Sequence, residues 1–122
     1  MDPKKFPQLT LENSHVTVDS SNLVKDKNLM YFYGESCPFT RRAEPHVQCL
    51  ENNIGRRLQR FEVYGSKENQ ELYAKLGGIE NCGGVPYFYN LETGESICGL
   101  SQCAALIDWA TTISGQTKNK RM

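Results

Sequence analysis

No two of the five cysteines stand at C-x-x-C spacing, and their odd number leaves no complete pairing, so neither a disulfide framework nor a zinc ribbon is indicated. Cys37, Cys49, Cys82, Cys98 and Cys103 are accordingly expected to rest as reduced thiols. Histidine is scarce: His15 and His46 are the only two, neither at a zinc-finger spacing, which argues against a structural metal. Net charge is absent, because fourteen basic side chains balance fourteen acidic ones. The whole-molecule field of a dedicated nucleic-acid binder is therefore missing. Long hydrophobic runs are missing too, and the charges near Met1 have no apolar stretch behind them. These absences predict a soluble, cytoplasmic monomer with neither nucleic acid nor membrane as partner.

What is present fits one domain, since 122 residues can bury a modest core without staples. Residues 1–13 and 114–122 are polar and aperiodic and are expected to be loosely ordered, leaving 14–113 as the domain. His15 to Val18 has short-strand character, and Asp19-Ser20-Ser21-Asn22 offers a helix cap before Leu23. Asn28 to Tyr33 is a continuous apolar and aromatic run, fit for a central strand buried on both faces. From Pro38 to about Asn53, Ala43, Val47, Leu50 and Ile54 recur at helical spacing, and Pro45 inside that helix predicts a bend. Arg60 to Tyr64 alternates as a strand does. Ser66 then caps a short helix carrying Leu72, Tyr73 and Leu76, closed by Gly77 and Gly78. Val85 to Asn90 and Glu95 to Cys98 read as strands joined by the turn Leu91-Glu92-Thr93-Gly94. Ser101 is expected to cap a last helix that buries Leu106, Ile107, Ala110 and Ile113, with Trp109 at its edge. The sum is an α/β fold, a central mixed β-sheet flanked by helices.

Gly34 to Thr40 joins the aromatic strand to the proline-containing helix, which puts Cys37 on a strand-to-helix turn where unpaired helix N–H groups point. Pro38 takes the first helical position, which needs no donor. Such N–H groups and the helix dipole favour thiolate over thiol, and can bring a cysteine pKa from about 8.5 to roughly 3.5–7.5. Thr40, one turn on, offers its hydroxyl to the sulfur, and Arg41 and Arg42 add positive charge that Glu35 partly offsets. The competing reading of Cys37 as a small buried hydrophobe is set against Ser36 and Pro38, which belong to a turn. Cys37 is expected to be an exposed nucleophile, with Phe39 and the Val85-Pro86 loop as its apolar rim. Arg56, Arg57 and Arg60 are expected to be solvated, and the tyrosines and phenylalanines to be sheet core rather than a base-stacking platform.

Phe32-Tyr33-Gly34-Glu35-Ser36-Cys37-Pro38-Phe39-Thr40 resembles the active-site strand and turn of thioredoxins, with Pro45 eight residues after the cysteine, where that family bends its helix. Gly84-Val85-Pro86-Tyr87-Phe88 is similar to the family's second signature, whose proline is cis and lies beside the active-site turn. The resemblance covers roughly residues 15–113. It implies a thioredoxin-like fold, Cys37 as nucleophile and Pro86 as the cis-proline.

Departures from the family pattern narrow the implied function. Thr40 stands where thioredoxins carry a second cysteine, Ser36 replaces a tryptophan, and Tyr31 takes the place of a buried acid. A lone thiolate that attacks a disulfide is left in a mixed disulfide until another thiol releases it. Glutathione is one candidate. Ile97 to Gln102 resembles the glutaredoxin turn before the last helix, which implies Gly99 and Ser101 as contacts for the γ-glutamyl carboxylate. Against that pattern, Cys98 replaces a glycine, Gln102 stands where an acid often sits, and Glu35 where a lysine is usual. Cys82, four residues before Pro86, is the other candidate resolving thiol, weighed against an ordinary loop thiol. Cys49 and Cys103 are expected to be core or edge thiols.

The expected function is a monothiol thiol–disulfide oxidoreductase with Cys37 and Thr40 as the catalytic pair. Pro38, Phe39, Val85, Pro86, Gly99 and Ser101 are expected to contact substrate. No cofactor is required, glutathione is an optional co-substrate, and protein thiols or disulfides are the partners. The alternatives are a non-catalytic thioredoxin-like interaction module and, furthest from the pattern, an iron–sulfur-binding monothiol glutaredoxin.

Overall fold

The aromatic run predicted as a buried strand lies at the middle of the sheet. In the computed structural model, which describes residues 22–112, it is β1 (Lys25–Tyr33). Leu29, Met30, Tyr31 and Phe32 are all buried because alternate side chains of an extended strand enter two separate cores. Leu29 and Tyr31 join Leu58 and Phe88 on one face, while Met30 and Phe32 join Tyr87 on the other. After β1 come α1 (Pro38–Ile54), β2 (Arg57–Glu62), α2 (Lys67–Lys75) and α3 (Gly78–Asn81). The chain then continues through β3 (Tyr87–Asn90), β4 (Ser96–Cys98) and α4 (Cys103–Thr111).

Sheet order is β2-β1-β3-β4, with β1 and β2 parallel and the other neighbours antiparallel. The chain is thus α/β, with a four-stranded mixed sheet flanked by helices. On the first face, α1 contributes Ala43, Val47 and Leu50, and α4 contributes Leu106, Trp109 and Ala110. Across the sheet, Tyr73 of α2 packs edge-on to Phe32 and Tyr87. Gly78, which opens α3, lies so close to the Tyr73 ring that a Cβ there would come within 2.5 Å of it. The helix ends follow their sequence signals. Ser66 Oγ accepts the Asn69 N–H at 3.2 Å to cap α2. Gly55 closes α1 at φ 72°, its N–H donating to Glu51 O at 2.9 Å.

Several local expectations are corrected. Trp109 is fully buried, not at the edge of α4, because its indole N–H finds the Glu95 carbonyl at 3.0 Å and leaves no unsatisfied donor. Gln102 rather than Ser101 is the N-cap of α4, and its side chain makes no capping hydrogen bond. Arg60 is not solvated: its guanidinium bridges Glu44 and the fully buried Glu51, and Glu44 also accepts from the Tyr31 hydroxyl at 3.0 Å. Burial disfavours that cation, but the two carboxylates outweigh it and keep Arg60 firmly charged.

The largest correction concerns sulfur. Cys49 of α1 is bonded to Cys103 of α4, and Cys82 after α3 to Cys98 of β4. Four thiols expected to rest reduced are therefore oxidised, and the odd cysteine left over is Cys37. Pairing was hidden because each bond joins residues brought together only by the tertiary fold, with Cα atoms 5.8 and 5.2 Å apart. The helix expected from Leu23 does not form, since the chain enters β1 at Lys25, and the strand expected at His15–Val18, Asp19 to Ser21, Ile113 and the end segments 1–13 and 114–122 lie outside the described residues.

Candidate functional site

Parallel pairing of β1 and β2 sets Tyr33 beside Glu62, so the chain leaves both strands at the same end of the sheet. In open α/β sheets this carboxyl end is where ligands bind. From β1 the turn runs Gly34 to Cys37, closed by the Cys37 N–H donating to Gly34 O at 3.0 Å. Cys37 is the N-cap of α1, with extended backbone at φ −80° and ψ 125°, and Pro38 follows at the first helical position. Thr40 is buried one turn later. Its Oγ1 accepts the Gly34 N–H at 3.2 Å. The Val85-Pro86 loop closes the other side, with the Cys37 thiol donating to Val85 O at 3.8 Å. The Val85–Pro86 peptide is cis.

Cys37 is 7% exposed, a correction to the open position that its turn chemistry predicts. The residue nonetheless belongs to neither core cluster. Burial is the strongest single influence on its ionisation and opposes the anion. Against it act the backbone N–H groups of Thr40 and Phe39 at the helix start, the Tyr64 hydroxyl and the Thr40 hydroxyl. Together they win and hold the thiol below its ordinary value. The arrangement can present a thiolate to an electrophilic sulfur, with a backbone carbonyl and an apolar rim beside it.

Set against known protein families, curated proteins and solved structures, the chain matches none. The site therefore has to be read from its own residues.

Tyr64 and Glu62 belong to the site although their sequence context marks neither, and Gly34 of the predicted turn owes its place to the Tyr64 ring. The chain leaves β2 after Glu62, and Tyr64 turns its ring onto Gly34. A Cβ on Gly34 would stand 2.5 Å from two atoms of that ring, so only glycine leaves room for it. Glu62 braces both turns at once, its carboxylate accepting the Glu35 N–H at 3.0 Å and the Gly65 N–H at 2.8 Å. Those donors hold the carboxyl below the usual range. The signal that would have found these residues is topological: once β1 and β2 are known to be parallel neighbours, the residues after each must meet.

The remaining predicted residues divide. Phe39 is exposed, with the Arg42 guanidinium 5.6 Å over its ring. Gly99, at φ 89°, donates its N–H to Pro86 O at 2.8 Å, which ties the end of β4 to the loop beside Cys37 and occupies a donor predicted to meet glutathione. Ser101 sits one residue before the cap of α4. Cys82 carries no thiol in this state, since its sulfur is bonded to Cys98, so it resolves nothing until that bond is reduced. Between Tyr64 and Val85 lies an open apolar groove of about 390 Å³, walled by Val63, Tyr73 and Ile79. On the far side of Tyr64 a more polar cleft of about 370 Å³ is bordered by Ser36, Arg41 and Glu62. Among the described residues, no three His, Cys, Asp or Glu side chains gather as metal ligands, and no helix is long and apolar enough to cross a membrane.

Proposed function

We propose that this chain is a thioredoxin-like thiol–disulfide oxidoreductase of monothiol type, in which Cys37 is the nucleophile. The observation that carries the proposal is that one cysteine of five is kept out of a disulfide, and that it is the one at a helix start, ringed by hydrogen-bond donors. A structural role would not need the donors. The order of elements supports a thioredoxin-like arrangement: a parallel β1-α1-β2 unit, then an antiparallel hairpin and a last helix, with the loop before β3 against the cysteine turn.

In the exchange, the Cys37 thiolate attacks one sulfur of a substrate disulfide. A Cys37–substrate S–S bond forms, the substrate S–S bond breaks, and the leaving thiolate takes the electron pair. Release requires a second thiol, which attacks the substrate sulfur and returns the pair to Cys37. With Cys82 oxidised, that thiol comes from outside the chain, and glutathione or another low-molecular-weight thiol fits the role. Two disulfides favour an oxidising setting over the reducing cytoplasm expected from sequence.

The near-complete cover of Cys37 supports a second reading, a non-catalytic module that captures clients and releases them slowly. Incubation with a glutathionylated peptide and excess glutathione separates the two. Turnover of the peptide to its free thiol, abolished in Cys37→Ser, is the expected result. A Cys37–peptide or Cys37–glutathione adduct that persists under excess glutathione would favour the module, and neither turnover nor an adduct would end both readings.

A further inference from the structure

We propose that Tyr64 is a catalytic residue of the Cys37 site, its hydroxyl donating a hydrogen bond to the Cys37 sulfur whenever that sulfur carries negative charge. The proposal rests on the thiol–disulfide reading above and names a residue which that reading does not need. Three observations support that placement. The cysteine turn is closed on Gly34, whose carbonyl accepts the Cys37 N–H at 3.0 Å, and Tyr64 packs onto that same glycine. The hydroxyl-bearing end of its ring lies against Gly34, where any side chain would evict it. Glu62 fixes the backbone on both sides of the contact, holding Glu35 in the cysteine turn and Gly65 next to Tyr64.

A tyrosine half open to solvent gains little from packing in this position, since the residue is 54% exposed and belongs to neither core. What the fold spends three residues on is the direction of one O–H group. The burial that raises the cost of a Cys37 anion leaves that donor with a definite task. As nucleophile, Cys37 needs the charge stabilised before attack. As leaving group, it needs the same help when an incoming low-molecular-weight thiolate bonds to the client sulfur and the Cys37–client bond returns its electron pair to Cys37. Within the mixed disulfide the sulfur is neutral and the hydrogen bond has least to stabilise. Tyr64 thus favours both free-thiolate states over the covalent intermediate, and so favours release. The Tyr64 hydroxyl itself stays protonated, its own ionisation pushed up first by the hydrogen bond to Cys37.

The test is the pH profile of Cys37 alkylation in native protein, wild type against Tyr64→Phe, with thermal unfolding as a check that the exposed ring still packs. Loss of one charge-assisted donor should raise the midpoint by about one pH unit, so alkylation near neutral pH slows about tenfold. Gly34→Ala, which displaces the ring without touching the hydroxyl, should move the profile the same way. Release of a preformed Cys37–glutathione adduct by glutathione should slow in Tyr64→Phe as well. A Tyr64→Phe profile superimposed on a low wild-type midpoint would overturn the role of Tyr64 and leave the nucleophile standing. A wild-type midpoint at the ordinary thiol value would overturn both.

Discussion

The two disulfides occupy regions of the molecule with different tasks. Cys49–Cys103 joins α1 to α4, the two helices that cover one face of the sheet, and closes a span of 54 residues. Cys82–Cys98 closes only 16 residues and sits beside the loop whose Val85 carbonyl touches Cys37. The first bond staples a core. The second helps hold one wall of the site, because Cys98 is paired with Tyr87 in the sheet and Gly99 donates to Pro86 O. A disulfide's loop length governs what it does for stability, whereas its neighbours govern what it does for chemistry.

If that division is right, removing each bond has a separable effect. The Cys49→Ser/Cys103→Ser variant should lose on the order of 4 kcal/mol in denaturant unfolding, the chain-entropy cost of releasing so long a loop. Its Cys37 alkylation profile should be unchanged. Cys82→Ser/Cys98→Ser should lose less, about 3 kcal/mol, yet should speed Cys37 alkylation as the Val85 cover loosens. Equal effects on Cys37 from both variants would erase the distinction.

Smaller changes sharpen the picture around the thiol. Thr40→Val deletes a buried hydroxyl that accepts the Gly34 N–H, and should cost about 1–3 kcal/mol while raising the Cys37 midpoint. Raised stability loss with an unmoved midpoint would reduce Thr40 to a turn brace. The smallest effect is on the pH dependence of stability. A thiolate held below its ordinary pKa in the folded chain contributes stability above the unfolded value of about 8.5. That contribution is lost as pH falls through the folded value. Wild type should therefore gain stability relative to Cys37→Ser as pH rises through this window, measured by denaturant unfolding at fixed ionic strength.

Much of the layered architecture was legible because its signals are local and periodic. The β1 run, the helical spacing of Ala43, Val47 and Leu50, and the Ser66 cap all follow from neighbouring residues. So does the position of Cys37 at a helix start. What was not legible depends on residues far apart in the chain. Arg56 and Arg60 look alike as text, but Arg56 pairs with Asp26 of β1 whereas Arg60 of β2 bridges two carboxylates of α1. Cys49 and Cys103 find each other only after two helices pack on one face. Tyr64 carries no motif, and becomes part of the site through a parallel pairing and a glycine across the turn. Trp109 was misplaced because the hydrogen bond that lets its indole be buried comes from Glu95, in another element.

Whether Cys37 is a lone reactive thiol is decided by thiol titration of the native, unreduced protein at each cysteine, followed by mass spectrometry over a range of pH. Cys37 alone should be alkylated, with a midpoint below the ordinary thiol value of about 8.5, while Cys49, Cys82, Cys98 and Cys103 stay blocked until a reductant is added. A Cys37 midpoint at or above that value, or free thiols at Cys82 and Cys98 in the native chain, would contradict it.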